Sequence, residues 1–152
     1  MRKNSIYIII ALSIFITACV SSPRFTNASY KQNPPNDRLE NNDFDNADIL
    51  ESSEGLASFY ADKYNGRPTY SGVIYDMNGI SAAHQKYQMG TIVRVTNLKN
   101  QKNIVLEIND RMPYWEDRIL DLSLGAAKEL DTINDGLVKV RIEVLKWGEG
   151  KK

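Results

Sequence analysis

The 152-residue chain holds a single cysteine, Cys19, and a single histidine, His84. One thiol cannot close an internal disulfide, and one Cys with one His falls short of a structural zinc site. Net charge is missing too, since 19 Lys and Arg balance 19 Asp and Glu. Without a basic excess there is no electrostatic footprint for nucleic acid, and none is expected as a partner. No motif for a metal or an organic cofactor stands out, so none is expected. Sustained apolar runs are scarce, and the one at residues 6–17 is shorter than the ~20 residues a membrane-spanning helix needs. The length suits one domain of roughly 100–200 residues. These averages conceal three unlike pieces.

Arg2 and Lys3 open the chain, the apolar run follows, and Ile16-Thr17-Ala18 leads into Cys19. A basic start, a short apolar stretch and small residues before a cut form a secretory signal, here residues 1–18. Small residues running directly into a Cys are similar to a bacterial lipobox, which makes Cys19 the expected lipidation site. Acyl chains on Cys19 would anchor the protein, because each buried CH₂ contributes about 0.8 kcal/mol. The residue after the Cys is Val20 and not Asp, which implies the outer membrane facing the periplasm, with a cell-membrane lipid anchor as the alternative. Residues 19–54 are read as a disordered tether, and residues 20–54 carry three basic against seven acidic side chains, with Pro34-Pro35.

Residues 55–147 read as a small, mainly β domain, followed by a tail at 148–152. Val138, Val140, Ile142 and Val144 alternate with Lys139, Arg141 and Glu143, the period of a half-buried strand. Residues 91–96 and 104–109 are two more strands, joined by a polar loop at 99–103 that suits a hairpin. A first strand is expected near 56–60 and a short one at 118–122. Ser123 is placed to cap a helix over 124–130. Several strands and one helix in so short a span point to a small closed barrel, which leaves no exposed edge.

Three polar blocks between the strands, at 64–72, 75–84 and 109–114, read as loops, where sites sit on rigid scaffolds. Asp110 continues the two-residue period of Ile104, Leu106 and Ile108 and is expected on the inward face at the strand's end. There it could serve as a general acid, although spacing alone favours a turn or ion-pair Asp. His84 could orient a carboxylate or relay a proton, or be a structural turn residue. Asp121 reads as a structural acid near the helix start. Tyr60, Tyr64, Tyr70, Tyr75, Tyr114 and Trp115 gather near the blocks, and aromatic faces can pack on sugar rings.

Ala57-Ser58-Phe59-Tyr60, Gly66-Arg67-Pro68-Thr69, Ser71-Gly72, Tyr75-Asp76-Met77, Ala82-Ala83-His84, Asn109-Asp110-Arg111 and Arg118-Ile119-Leu120-Asp121-Leu122-Ser123 occur in order. Together they resemble the rare lipoprotein A (RlpA-like) family over nearly all of residues 55–147. The resemblance implies a six-stranded double-psi β-barrel with one or two short helices. It implies a peptidoglycan lytic transglycosylase that cuts the MurNAc-GlcNAc β-1,4 bond, preferring strands without stem peptides, and leaves 1,6-anhydro ends. It implicates Asp110 and His84 in catalysis. Tyr60, Arg67, Tyr75, Asp76 and Arg111 lie within the matching motifs and are expected to contact the glycan. Cell-division or envelope proteins are the protein partners it suggests. Two positions depart from the family pattern, Val73 where Glu is usual after the Ser-Gly pair and Met112 where Gly is usual. Val73 cannot carry a proton, so the alternative is a weak or inactive, expansin-like glycan-binding lipoprotein.

Overall fold

The computed structural model describes residues 44–150; the expected signal, Cys19 and the first part of the expected tether lie outside the described residues. Six strands and one helix run in the order β1 (Glu51–Phe59), β2 (Ser81–His84), β3 (Thr91–Asn97), β4 (Asn103–Arg111), β5 (Arg118–Leu122), α1 (Leu124–Glu129) and β6 (Val138–Lys146). They close a barrel in the order β1-β5-β2-β4-β3-β6. β1 with β5 and β2 with β4 are parallel, and the other four pairings are antiparallel. This is the double-psi barrel expected, and closure leaves no ladder edge open to another chain.

Alternation decides which face goes in. Val138, Val140, Ile142 and Val144 of β6 join Val93 and Val95 of β3, Ile104, Leu106 and Ile108 of β4, and Leu120 and Leu122 of β5 in one core. Helix α1 closes one end with Ala126, Ala127 and Leu130. The outer face is apolar as well at Ile92, Val105 and Leu145, because Phe44 and Ala47 pack over them. Arg94 Nη2 holds that segment by donating to the Phe44 carbonyl at 2.8 Å.

Three sequence expectations shift. The ordered fold starts before residue 55: Phe44 is docked, and β1 pairs with β6 from Glu51↔Val144 through Ala57↔Val138. Ladder hydrogen bonds come from the backbone, so the polar side chains of Glu51, Ser52, Ser53 and Glu54 did not announce a strand. The block at 75–84 contains β2, whose Ala82 and Ala83 are almost fully buried between β4 and β5. Alanine has weak strand preference, and only the tertiary pairing makes this segment a strand. At the other end, the Gly148 and Gly150 N–H groups donate to Thr91 Oγ1 and the Met89 carbonyl, so the tail begins as part of the barrel.

Ser123 is the N-cap of α1, accepting from Ala126 N at 3.1 Å. The same hydroxyl donates to the Gly79 carbonyl at 2.7 Å and accepts from Ser81 N at 3.2 Å. It therefore ties the helix to the loop that leads into β2. Gly125 allows this contact, since a Cβ there would collide with the Asn78 carbonyl oxygen. Ser123→Ala is expected to destabilise the fold by about 2 kcal/mol, the loss of a cap and a buried hydrogen bond. Urea unfolding should show a lower midpoint with an unchanged slope.

Candidate functional site on the outer wall of the barrel

Two β-bulges build the site. On β2, Ala82 pairs with Ile108 and Ala83 with Asp110, so Asn109 is an extra residue in β4. Ala82 and Ile108 belong to the core, which turns Ala83 and Asp110 to the outer face. Sequence period placed Asp110 inward; the bulge reverses it. A second bulge in the β1/β5 pairing sets Ser58 opposite Asp121, and Asp121 pairs in turn with Ala83. The outer face thus carries a row across four strands: Ser58, Asp121, Ala83, Asp110. Strand spacing puts the Cα atoms of the two acids about 10 Å apart. Bulges commonly re-aim side chains beside active sites.

Asp110 is held by three donors. Tyr60 Oη donates to Oδ2 at 2.8 Å, while the backbone N–H groups of Tyr70 and Arg111 donate to Oδ1 at 2.7 and 2.8 Å. Tyr70 is placed by a tight turn in which Thr69 N donates to the Val73 carbonyl and Pro68 bridges Ile74. Gly72 (φ 93°) makes that turn affordable, in a region that L side chains rarely adopt. Burial, then the charge of Asp110, pushes the Tyr60 hydroxyl far above its ordinary value, so it stays a donor. The Tyr60 ring packs against Tyr64 and Tyr75, at 5.5 and 5.1 Å between centroids.

Asp121 accepts from Ser58 Oγ, and Arg118 Nε lies 3.1 Å from the same oxygen, an ion pair that is not aligned as a hydrogen bond. Both acids line one open cavity of about 590 Å³, within the usual range for a ligand site. Tyr60, Arg67, Tyr75 and Arg111, four of the residues expected to meet a glycan, also line it. Asp76 does not; its Oδ1 accepts from Asn78 N at 2.9 Å and shapes a turn. Asp121, Ser58 and Arg118 line the cavity without having been anticipated as site residues, and Trp115, one of the aromatics that the sequence places near the polar blocks, lines it too. Nothing in a linear sequence reveals that Ser58 and Asp121, 63 residues apart, share a register row. Among the described residues no cluster of three or more His, Cys, Asp or Glu could hold a metal ion.

The profile of the family described as lytic transglycolase matches residues 52–142. The endolytic peptidoglycan transglycosylase RlpA of Campylobacter jejuni is 42% identical over 100 residues, covering 66% of this chain and 36% of that protein. The protein of the same name from Pasteurella multocida is 47% identical over 92 residues, covering 60% and 31%. The chain thus spans well under half the length of these relatives. Among solved structures, the Streptomyces papain inhibitor superposes with a TM-score of 0.54 at 19% identity, covering 66% of this chain and 99% of that one. The Clavibacter michiganensis expansin does so at 0.52 and 19%, covering 66% and 53%. At such identities these two share the barrel fold.

His84 lies on the inward parity of β2, opposite Leu120, and is not among the cavity-lining residues. Its Nδ1 accepts from the Lys86 and Tyr87 backbone N–H groups at 3.1 and 3.0 Å, and its ring stacks on Tyr87 at 3.7 Å. Its carbonyl accepts from Arg111 Nη1 at 3.0 Å, which links it to the site through Arg111. Burial, then the charges of Arg111 and Lys86, lowers the imidazole from 6.5 to about 4. The unfolded chain therefore binds this proton more readily between those values, and stability is lost as pH falls through that window. The loss expected from His84 is up to roughly 3 kcal/mol. His84→Asn keeps an acceptor near Nδ1 but cannot titrate, so its stability profile should be flatter between about pH 6.5 and 4. Unfolding free energies from denaturant titrations that fall equally steeply with pH in the two proteins would contradict the assignment.

Proposed function

The chain belongs to the lytic transglycolase family, and from that premise we propose that it is an endolytic peptidoglycan transglycosylase. Its substrate is the MurNAc-GlcNAc β-1,4 bond of glycan strands, preferentially those lacking stem peptides, in cell-wall remodelling or daughter-cell separation. The observation that carries the reading is Asp110, turned outward by the bulge into a cavity and fixed by three donors from three segments.

In this mechanism Asp110 delivers a proton to the leaving glycosidic oxygen. The muramoyl 6-hydroxyl then attacks the anomeric carbon and returns its proton to the Asp110 carboxylate. The product end is a 1,6-anhydro sugar, no water is consumed, and one acid serves both steps. Tyr60 and the two backbone N–H groups keep the carboxyl in one orientation throughout, which is preorganisation of the kind that lowers barriers. Arg67, Tyr75 and Arg111 contribute to the walls that meet the glycan. His84 is a positioning residue in this scheme, since it reaches the cavity through Arg111.

Position 73 is where the family pattern and this chain part. Val73 is half-buried and outside the cavity lining, and its carbonyl accepts from Thr69 in the turn that presents Tyr70 N to Asp110. The three donors to Asp110 come from other residues, so the proposed chemistry does not require an acid there. The signal and Cys19 support an outer-membrane lipoprotein facing the periplasm, with a cell-membrane anchor as the alternative and envelope or division proteins as neighbours.

The test is product analysis. The full chain, purified in detergent, is incubated with stem-peptide-free peptidoglycan, and mass spectrometry looks for 1,6-anhydromuramoyl ends. Asp110→Asn should lower their rate of formation by roughly 10²–10⁴-fold, the range for a lost general acid. Tyr60→Phe should cost about tenfold through the lost hydrogen bond to a charged group. Wild-type protein that binds the glycan and yields no anhydro ends would overturn the proposal in favour of a binding role.

A further inference from the structure

Trp115 is the one large apolar side chain of the cavity lining that stands half open to solvent and has no assigned task. It is 51% exposed, and its neighbour Tyr114 is 73% exposed. Large aromatic surface left in water is unfavourable, and here it is held in place by design of the surrounding contacts. Gln85 Nε2 donates to the Trp115 carbonyl at 2.8 Å and to the Arg118 carbonyl at 2.7 Å, which pins both ends of this short stretch. The Arg118 guanidinium lies over the indole, 4.7 Å from the ring, and is itself paired with Asp121. One face of the indole is therefore propped by a cation that is anchored to the cavity's second carboxylate. No other aromatic ring packs on Trp115 among the described residues.

We propose that Trp115 is a sugar-stacking platform, a subsite that takes one pyranose ring of the glycan bound in the Asp110 cavity. This rests on the function proposed above and assigns the stacking to one residue among the six aromatics that the sequence places near the polar blocks. A β-linked pyranose with equatorial substituents presents an apolar C–H face, which suits the electron-rich face of an indole. The ring's polar edge stays free for hydrogen bonds from the cavity rim. Because Gln85 and Arg118 already fix the platform, little ordering is left to oppose binding. A flat, non-ionic contact of this kind also suits a polymer substrate, since it grips any sugar in register and not one unique group.

Affinity is measured on the full chain carrying Asp110→Asn, so that bound glycan is not cut, with peptide-free glycan oligosaccharides of defined length as probes. Adding Trp115→Ala should weaken binding by about tenfold, equivalent to ~1.4 kcal/mol. Trp115→Phe should lose less than about threefold, whereas Trp115→Leu, apolar without a ring, should resemble the Ala variant. In the otherwise unsubstituted protein, Trp115→Ala should raise KM with kcat held within about twofold, the mark of an interaction made equally in ground and transition states. The subsite is overturned if Trp115→Ala binds the oligosaccharides as tightly as its parent. It is equally overturned if the variant loses kcat at constant KM, which would mean that Trp115 only steadies Arg118 and Asp121. Failure of the underlying function reads differently: the Trp115-containing protein itself would then release no anhydro ends.

Discussion

Asp110 depends on one inserted residue. Asn109 has no partner of its own across β2, and that single slip carries the next side chain from the barrel interior to its outer wall. An unbulged β4 would bury the carboxyl among Ile104, Leu106 and Ile108, where a charge without a partner is costly. With the bulge, the carboxyl meets Tyr60 from the end of β1, Tyr70 from the loop before β2, and the backbone of Arg111 beside it. The closed barrel makes such a slip tolerable, because the remaining ladder holds the register on both sides.

The same logic explains why the site is shared among distant segments. Parallel pairing brings β1 beside β5 and β2 beside β4, so residues far apart in sequence fall into one row. Ser58, Asp121, Ala83 and Asp110 line up through pairings alone. The acids are then dressed differently, Asp110 by a phenol and two amides, Asp121 by a serine hydroxyl and an arginine. His84, on the other parity of β2, stacks on Tyr87, which meets Trp147 edge-on, and reaches the cavity through its carbonyl and Arg111.

Sequence pattern served well wherever one face of a strand is buried. The alternation of 138–144 and the hairpin around 99–103 match β6 and the β3/β4 connection, and Ser123 caps the helix as expected. It failed where backbone pairing alone decides structure, as in Glu51–Phe59, whose start reads as tether, and in Ser81–His84, which reads as loop. It also failed at the bulge, because a two-residue period carries no mark of an inserted residue. Motif resemblance pointed to Asp110, while period alone would have left its orientation wrong. Asp121, Ser58 and Arg118 were out of reach as site residues, since only the strand order gathers them.

A crystal structure of the full chain with Asp110→Asn, grown with a peptide-free glycan oligosaccharide, tests the central claim most directly. The account predicts a glycosidic oxygen within hydrogen-bonding distance of the residue 110 side chain, about 2.6–3.2 Å, with the strand lying along the outer wall of the barrel. A glycan bound elsewhere, or one whose glycosidic oxygen meets Asp121 and not residue 110, would contradict it.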